Sequence, residues 1–158
     1  MAGSAMITTT LPGHMNQWET TTNKNNFIYL NFSDGGTETA QWIVDFPADW
    51  NSTANVWFAP IWTAQDGSGT IKFDISGKLF TNDDALDTAL SAIGSSTDTL
   101  IATGDLHIAP DTTGAAISAV SSGGNTAIIK AARDSASDTL SGTGQLIGLR
   151  VKYSKVLA

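Results

Sequence analysis

The chain contains no cysteine, so neither disulfides nor thiolate metal sites hold its fold, and stability has to come from packing, with oligomerisation as a further source. Basic residues are scarce: eight Lys and Arg stand against fifteen Asp and Glu, a formal net charge of −7. A broad phosphate-binding surface needs clustered cations that displace counterions, so nucleic acid is not an expected partner. Long apolar runs are missing too. None approaches the roughly 20 residues that cross a bilayer, so no membrane partner is expected, and the first residues lack the basic region and continuous apolar segment of a secretion signal. In that setting the glycosylation patterns Asn31-Phe32-Ser33 and Asn51-Ser52-Thr53 read as coincidental.

The chain does have enough apolar content for a core. With 158 residues and 41% hydrophobic content it makes one ordinary domain, and the expected organisation is an extended N-terminal arm over residues 1–26 followed by a β-domain over residues 27–158. Low charge with abundant Thr, Ser, Gly and Asn is a balance common in extracellular and virion β-proteins. The densest signal lies in residues 38–64. Gln41-Trp42-Ile43-Val44-Asp45-Phe46 alternates, setting Trp42, Val44 and Phe46 against one side. Val56-Trp57-Phe58-Ala59-Pro60-Ile61-Trp62 is apolar on both faces, as in a strand covered from both sides, with Pro60 pointing to a sheet edge, bulge or break.

Turn signals recur every eight to twelve residues or so from Phe27 onward, the spacing of an all-β sandwich or barrel. Phe27–Phe32 reads as a strand. Asp66-Gly67-Ser68-Gly69 reads as a tight connection making a hairpin with Thr70–Ile75, which buries Ile71, Phe73 and Ile75. Leu86, Ala89, Leu90 and Ile93 follow helical spacing, so one short helix is expected within Asn82–Ile93. Further strands are expected over Thr97–Ala102, Asp105–Ala109, Ala115–Val120, Thr126–Ala132 and Gln145–Tyr153. In the last, Ile147, Leu149, Val151 and Tyr153 face inward, and Arg150 and Lys152 face outward. The pattern Asp-Thr-Leu-x-x-Thr-Gly-x-Leu occurs at residues 98–106 and 138–146; two copies are too few for a repeat architecture and read as similar turn chemistry. The expected class is therefore all-β, an antiparallel sandwich of about eight strands with one short helix.

Residues that carry chemistry are sparse. His14 and His107 have no metal-ligand spacing around them, and nucleophile elbows, phosphate loops and zinc signatures are absent. Gly67-Ser68-Gly69 lacks the lysine and helix of a phosphate cradle. Asp83, Asp84 and Asp87 read as stabilising the start of the expected helix, with a hard-cation site as the sharper alternative. No catalytic, cofactor or metal residue is assigned, and the chain is not expected to be an enzyme. Contact candidates are Met6, Ile7, Leu11, Met15 and Trp18 as anchors in the arm, Trp50 and Trp57 among the aromatics, and Arg150 and Lys152. These last two belong to a basic group, with Lys130, Arg133 and Lys155, in the final thirty residues.

The segments Glu38-Thr39-Ala40-Gln41-Trp42, Phe46-Pro47-Ala48-Asp49-Trp50, Trp62-Thr63-Ala64, Gly67-Ser68-Gly69, Asp83-Asp84-Ala85-Leu86-Asp87, Asp105-Leu106-His107 and Leu146-Ile147-Gly148, taken in order, resemble a β-sandwich module of tailed-bacteriophage virion proteins. The resemblance spans residues 27–153 and departs from the family pattern at Val56–Pro60 and Ala131–Asp134. It implies a jelly-roll-like domain of the kind used in capsid decoration (cement) proteins and in fibre and appendage proteins. The expected function is a structural virion protein, a decoration protein on the capsid exterior that bridges major capsid protein subunits as a homo-trimer. The alternative is a receptor- or carbohydrate-binding head or a structural component of a tail fibre, and a glycoside hydrolase is a third and weaker reading.

Overall fold

The computed structural model describes residues 6–7, 15–36 and 38–156. Among the described residues, ten strands form two antiparallel five-stranded sheets. In chain order they are β1 (Met6–Ile7), β2 (Met15–Glu19), β3 (Asn26–Phe32), β4 (Thr39–Asp45), β5 (Val56–Thr63), β6 (Thr70–Phe80), β7 (Ser91–Thr99), β8 (His107–Ile108), β9 (Thr126–Arg133) and β10 (Gly144–Tyr153). Sheet A runs β1-β4-β9-β6-β7 and sheet B runs β2-β3-β10-β5-β8. Within the segment expected to be an arm, Met15–Glu19 pairs with β3 over five residues, and Met6–Ile7 pairs with β4.

The sandwich is held by period-two patterning. Trp42 and Phe46, Val56, Phe58 and Trp62, and Ile71, Phe73 and Ile75 all reach the shared core, where Phe32 of sheet B meets Phe73 of sheet A edge to face at 5.7 Å. β5 is covered on both faces as its composition requires, and Ala59 is as buried as Phe58. Pro60 lies in an unbroken β5, one strand in from the edge of sheet B. Its carbonyl accepts from Ala109 N–H, so its missing donor faces the side where the two-residue β8 ends.

Five expectations are corrected. There is no helix among the described residues. Over Asn82–Ile93 the Asp84 carboxylate takes the Thr81 N–H and hydroxyl and the Ser121 hydroxyl, a local bonding pattern that competes with helix formation. Asp83 turns left-handed at φ 69°, Leu86 is exposed and Ile93 enters the core from β7. The hairpin between β5 and β6 does not form, since the two strands lie in different sheets. The polar groups of the glycine turn are taken by the 139–141 segment: Ser68 N–H donates to Ser141 Oγ, Ser141 N–H to Ser68 O, and Thr70 N–H to Thr139 Oγ1.

Ala115–Val120 makes only isolated bridges, to Val56 and Leu79. In β10 the register shifts between Leu146 and Gly148, so Ile147 is a bulge that turns Leu146 inward and reverses the parity of everything before it. The expected basic group is also broken. Inward alternation of Ala127, Ile129 and Ala131 along β9 carries Arg133 inward as well, and it is buried.

Arg133 spends all five of its N–H donors there. Nε donates to Asp138 Oδ2 at 2.6 Å and Nη2 to Asp138 Oδ1 and the Leu140 carbonyl; Nη1 donates to the carbonyls of Phe32, at 3.0 Å, and Gly142, at 2.9 Å. One side chain from sheet A thus fixes the end of β3 in sheet B and the whole 138–142 connection. Replacement by Leu leaves a buried carboxylate and three carbonyls without donors, so Arg133→Leu should lower the unfolding free energy by about 3–5 kcal/mol in urea titrations. A loss within experimental scatter would show that the pin is dispensable.

Candidate binding face on the second sheet

The register of sheet B decides which side chains share its outer face. Val56, Phe58 and Trp62 point into the core, so Trp57, Ala59, Ile61 and Thr63 point outward. Opposite them Lys152 pairs with Trp57, Arg150 with Ala59 and Gln145 with Thr63, and Gln145 also pairs with Asn31 of β3. On β3 the outward set continues through Tyr29 to Phe27, which faces Trp18 of β2. Four of the contact candidates, Trp18, Trp57, Arg150 and Lys152, therefore lie on this one face although they are up to 134 positions apart in the chain (152 − 18).

Near β8 the face is apolar, with Ile108 exposed opposite Ile61. Beside it, Asp111 receives both Arg150 Nη2, at 3.2 Å, and Lys152 Nζ. The hydrogen bond from Lys152 first, and that from Arg150 after it, hold the Asp111 carboxyl below its usual range. Trp57 is half-buried and lies against Gly114, whose φ of 76° and lack of a side chain admit the ring.

The other end of the face is polar. Asn31, Gln145 and Thr63 stand side by side on three adjacent strands, and the side-chain oxygen of each is buried without a hydrogen-bond partner. Gln145 is 7% exposed and Thr63 1%, although both point away from the sandwich core. Trp18, on the β2 margin, packs edge to face on Phe27 with ring centres 4.9 Å apart and also reaches Gly104, while Gly104 N–H donates to Ala64 O just beyond β5. β3 and β10 lie between those two margins, so the Trp18–Gly104 contact bridges the outer face.

The remaining candidates lie elsewhere. Trp50 is no surface contact: it is 5% exposed and stacks on Phe46 with ring centres 4.1 Å apart, because the turn after β4 folds it back over the core. Met15 is exposed on β2. Met6 and Ile7 form β1, and Leu11 lies outside the described residues. Asp84 forms the turn already described, its carboxyl held low by the Ser121 and Thr81 donors, and among the described residues no group of three or more His, Cys, Asp or Glu could hold a metal ion. His107 is buried and stacks on Trp62, whose Nε1 donates to Asp98 at 2.9 Å. Gln145, Thr63 and Asp111 are not among the contact candidates that the sequence offers, and Asn31 enters there only through a glycosylation pattern that reads as coincidental. The available signal was Gln145 itself, a polar residue in phase with Ile147 and Leu149, which a bulge explains.

No protein-family model matches the chain, and no curated protein matches it. Among solved structures it is similar to TmCBM61, determined in complex with β-1,4-galactotriose, at 11% identity and a TM-score of 0.37 over 80% of this chain and 71% of that one. At that score the likeness carries no inference about what this chain binds.

Carboxylates held low by cationic partners set an acid limit. Asp111 beside Lys152 and Asp134 beside Lys72 are both lowered from 3.8, so their contribution is fully present above that value and is lost as pH falls through the folded value. Lys72, raised from 10.5 by its bond to Asp134, adds stability that is full below 10.5 and lost above it. Melting temperature should therefore fall on acidification below about pH 4, and Asp134→Asn should flatten that fall; an unchanged slope in the variant would refute the assignment. Trp50→Ala should cost about 3–5 kcal/mol of stability as a core truncation, and Trp57→Ala clearly less, by chemical denaturation.

Proposed function

We propose that this chain is a structural virion protein with a jelly-roll-like domain, acting as a capsid decoration protein that bridges neighbouring major capsid subunits from the capsid exterior as a homo-trimer. The observation that carries this reading is the outer face of sheet B, where Trp57, Ile61 and Ile108 give an apolar patch rimmed by Arg150, Lys152 and Asp111. Such a face suits docking. An aromatic anchor surrounded by charged residues is the usual anatomy of a protein interface, with the rim setting register and approach. The domain beneath it is stiffened by packing and by the Arg133 pin, so load on the face is passed to both sheets.

A second reading, a receptor- or carbohydrate-binding head of a tail appendage, is favoured by the aromatic residues Trp18, Phe27 and Tyr29 beside the polar row of Asn31, Gln145 and Thr63. Aromatic rings next to polar groups on a sheet face suit small-ligand binding.

Locating the protein in intact particles by electron microscopy separates capsid from tail. For the decoration reading, Trp57→Ala combined with Lys152→Glu should reduce occupancy on added capsids at least tenfold while the melting temperature moves by only a few degrees. Full occupancy by this variant would overturn docking through sheet B.

A further inference from the structure

We propose that the outer face of sheet B holds a neutral saccharide unit against Asn31, Gln145 and Thr63. The proposal rests on the second reading above and names its ligand chemistry and its subsite.

Three features of the row point to a ligand. Asn31 Oδ1, Gln145 Oε1 and Thr63 Oγ1 are all buried and unpartnered, and they belong to adjacent strands in one cross-strand line. A single orphan atom is a local defect, but three in line form a polar strip of two amide oxygens that accept and a hydroxyl that both donates and accepts, each without a partner, and buried polar atoms without partners are costly. Sugar hydroxyls, which donate and accept, supply partners for all three. The strip has no charged member, so its match is neutral, and the Arg150, Lys152 and Asp111 group lies further along β10 and is satisfied internally.

The same face places aromatic rings beside the strip. Tyr29 and Phe27 follow Asn31 at two-residue intervals along β3, with ring centres 6.5 Å apart, and Trp18 packs on Phe27. Aromatic faces take the apolar faces of sugar rings while hydroxyls bond at the edges. The contact between Trp18 and Gly104 crosses the same face. The 101–106 segment that carries Gly104 is exposed along its length and belongs to no strand. It is tied to the sandwich through the Leu100 N–H to Gly69 O and Gly104 N–H to Ala64 O bonds, so it can lift and admit a ligand without unpairing the sheet.

The test uses the full chain on an array of neutral oligosaccharides, followed by titration of the best binder. Gln145→Leu and Thr63→Val should each weaken that binder at least tenfold without lowering the melting temperature, since each removes an orphaned polar atom, whereas Ile43→Ala, exposed on sheet A, should leave affinity unchanged. In the wild-type chain the side-chain amide resonances of Asn31 and Gln145 should shift during the titration, a readout that holds even if a variant fails to fold. Binding that persists in both variants with those resonances unmoved overturns this subsite and leaves the second reading standing. If no saccharide binds at all, this subsite and the carbohydrate-binding form of the second reading both fall.

Discussion

Arg133 is the contact on which the rest of the molecule depends. It extends from the end of β9 in sheet A, and its five donors reach one carboxylate and the carbonyls of Phe32, Leu140 and Gly142. Burying a guanidinium is unfavourable unless each donor finds an acceptor, so the geometry of the end of β3 and of the 138–142 connection is specified together with the charge. That connection leads directly into β10 at Gly144, the middle strand of sheet B. The position of Gln145, Arg150 and Lys152 on the outer face follows from it, as does the pairing of β10 with β3 and β5. A cysteine-free chain thus ties its two sheets together with a fully bonded ion pair in place of a covalent bridge.

The bulge at Ile147 is the second constraint. Before it Gln145 faces outward, and after it Arg150 and Lys152 do, although Gln145 and Arg150 differ in parity. One extra residue therefore joins a polar strip and a charged patch on the same face, whereas unbroken alternation would have buried Gln145 in the core. The apolar residues are shared out correspondingly: Leu146 enters the core, and Leu149 and Val151 pack against its margin.

These two features mark where the sequence was readable. Period-two patterns mark β4, β6 and β10, recurring turn signals mark β3 and β9, and the two-sided apolar run at β5 marks a covered strand, because such patterns are local and burial enforces them. The helical spacing of Leu86, Ala89, Leu90 and Ile93 misleads over Asn82–Ile93 because it carries no information about the donors that the Asp84 carboxylate accepts from. The burial of Trp50 is illegible for a similar reason, since its stacking on Phe46 depends on how the intervening turn closes. Arg133 falls in sequence among the basic residues of the last thirty positions, although its phase with Ala127, Ile129 and Ala131 puts it on the inner face. The candidate face was legible only in pieces. Trp18, Trp57, Arg150 and Lys152 each stand out singly, but only strand order brings them together, and the polar row beside them arises from a register that no local pattern displays.

The central claim is that the outer face of sheet B is the working surface of this domain, and the absence of cysteine makes it directly measurable. A single thiol placed at Ile108, on the outer face of sheet B, can be compared with one at Ile43, exposed on sheet A. Maleimide labelling rates would be measured for each variant free in solution and bound to particles. The account predicts that binding slows labelling at position 108 at least tenfold and leaves position 43 at its free rate. Slowing at position 43 with position 108 still open would contradict it.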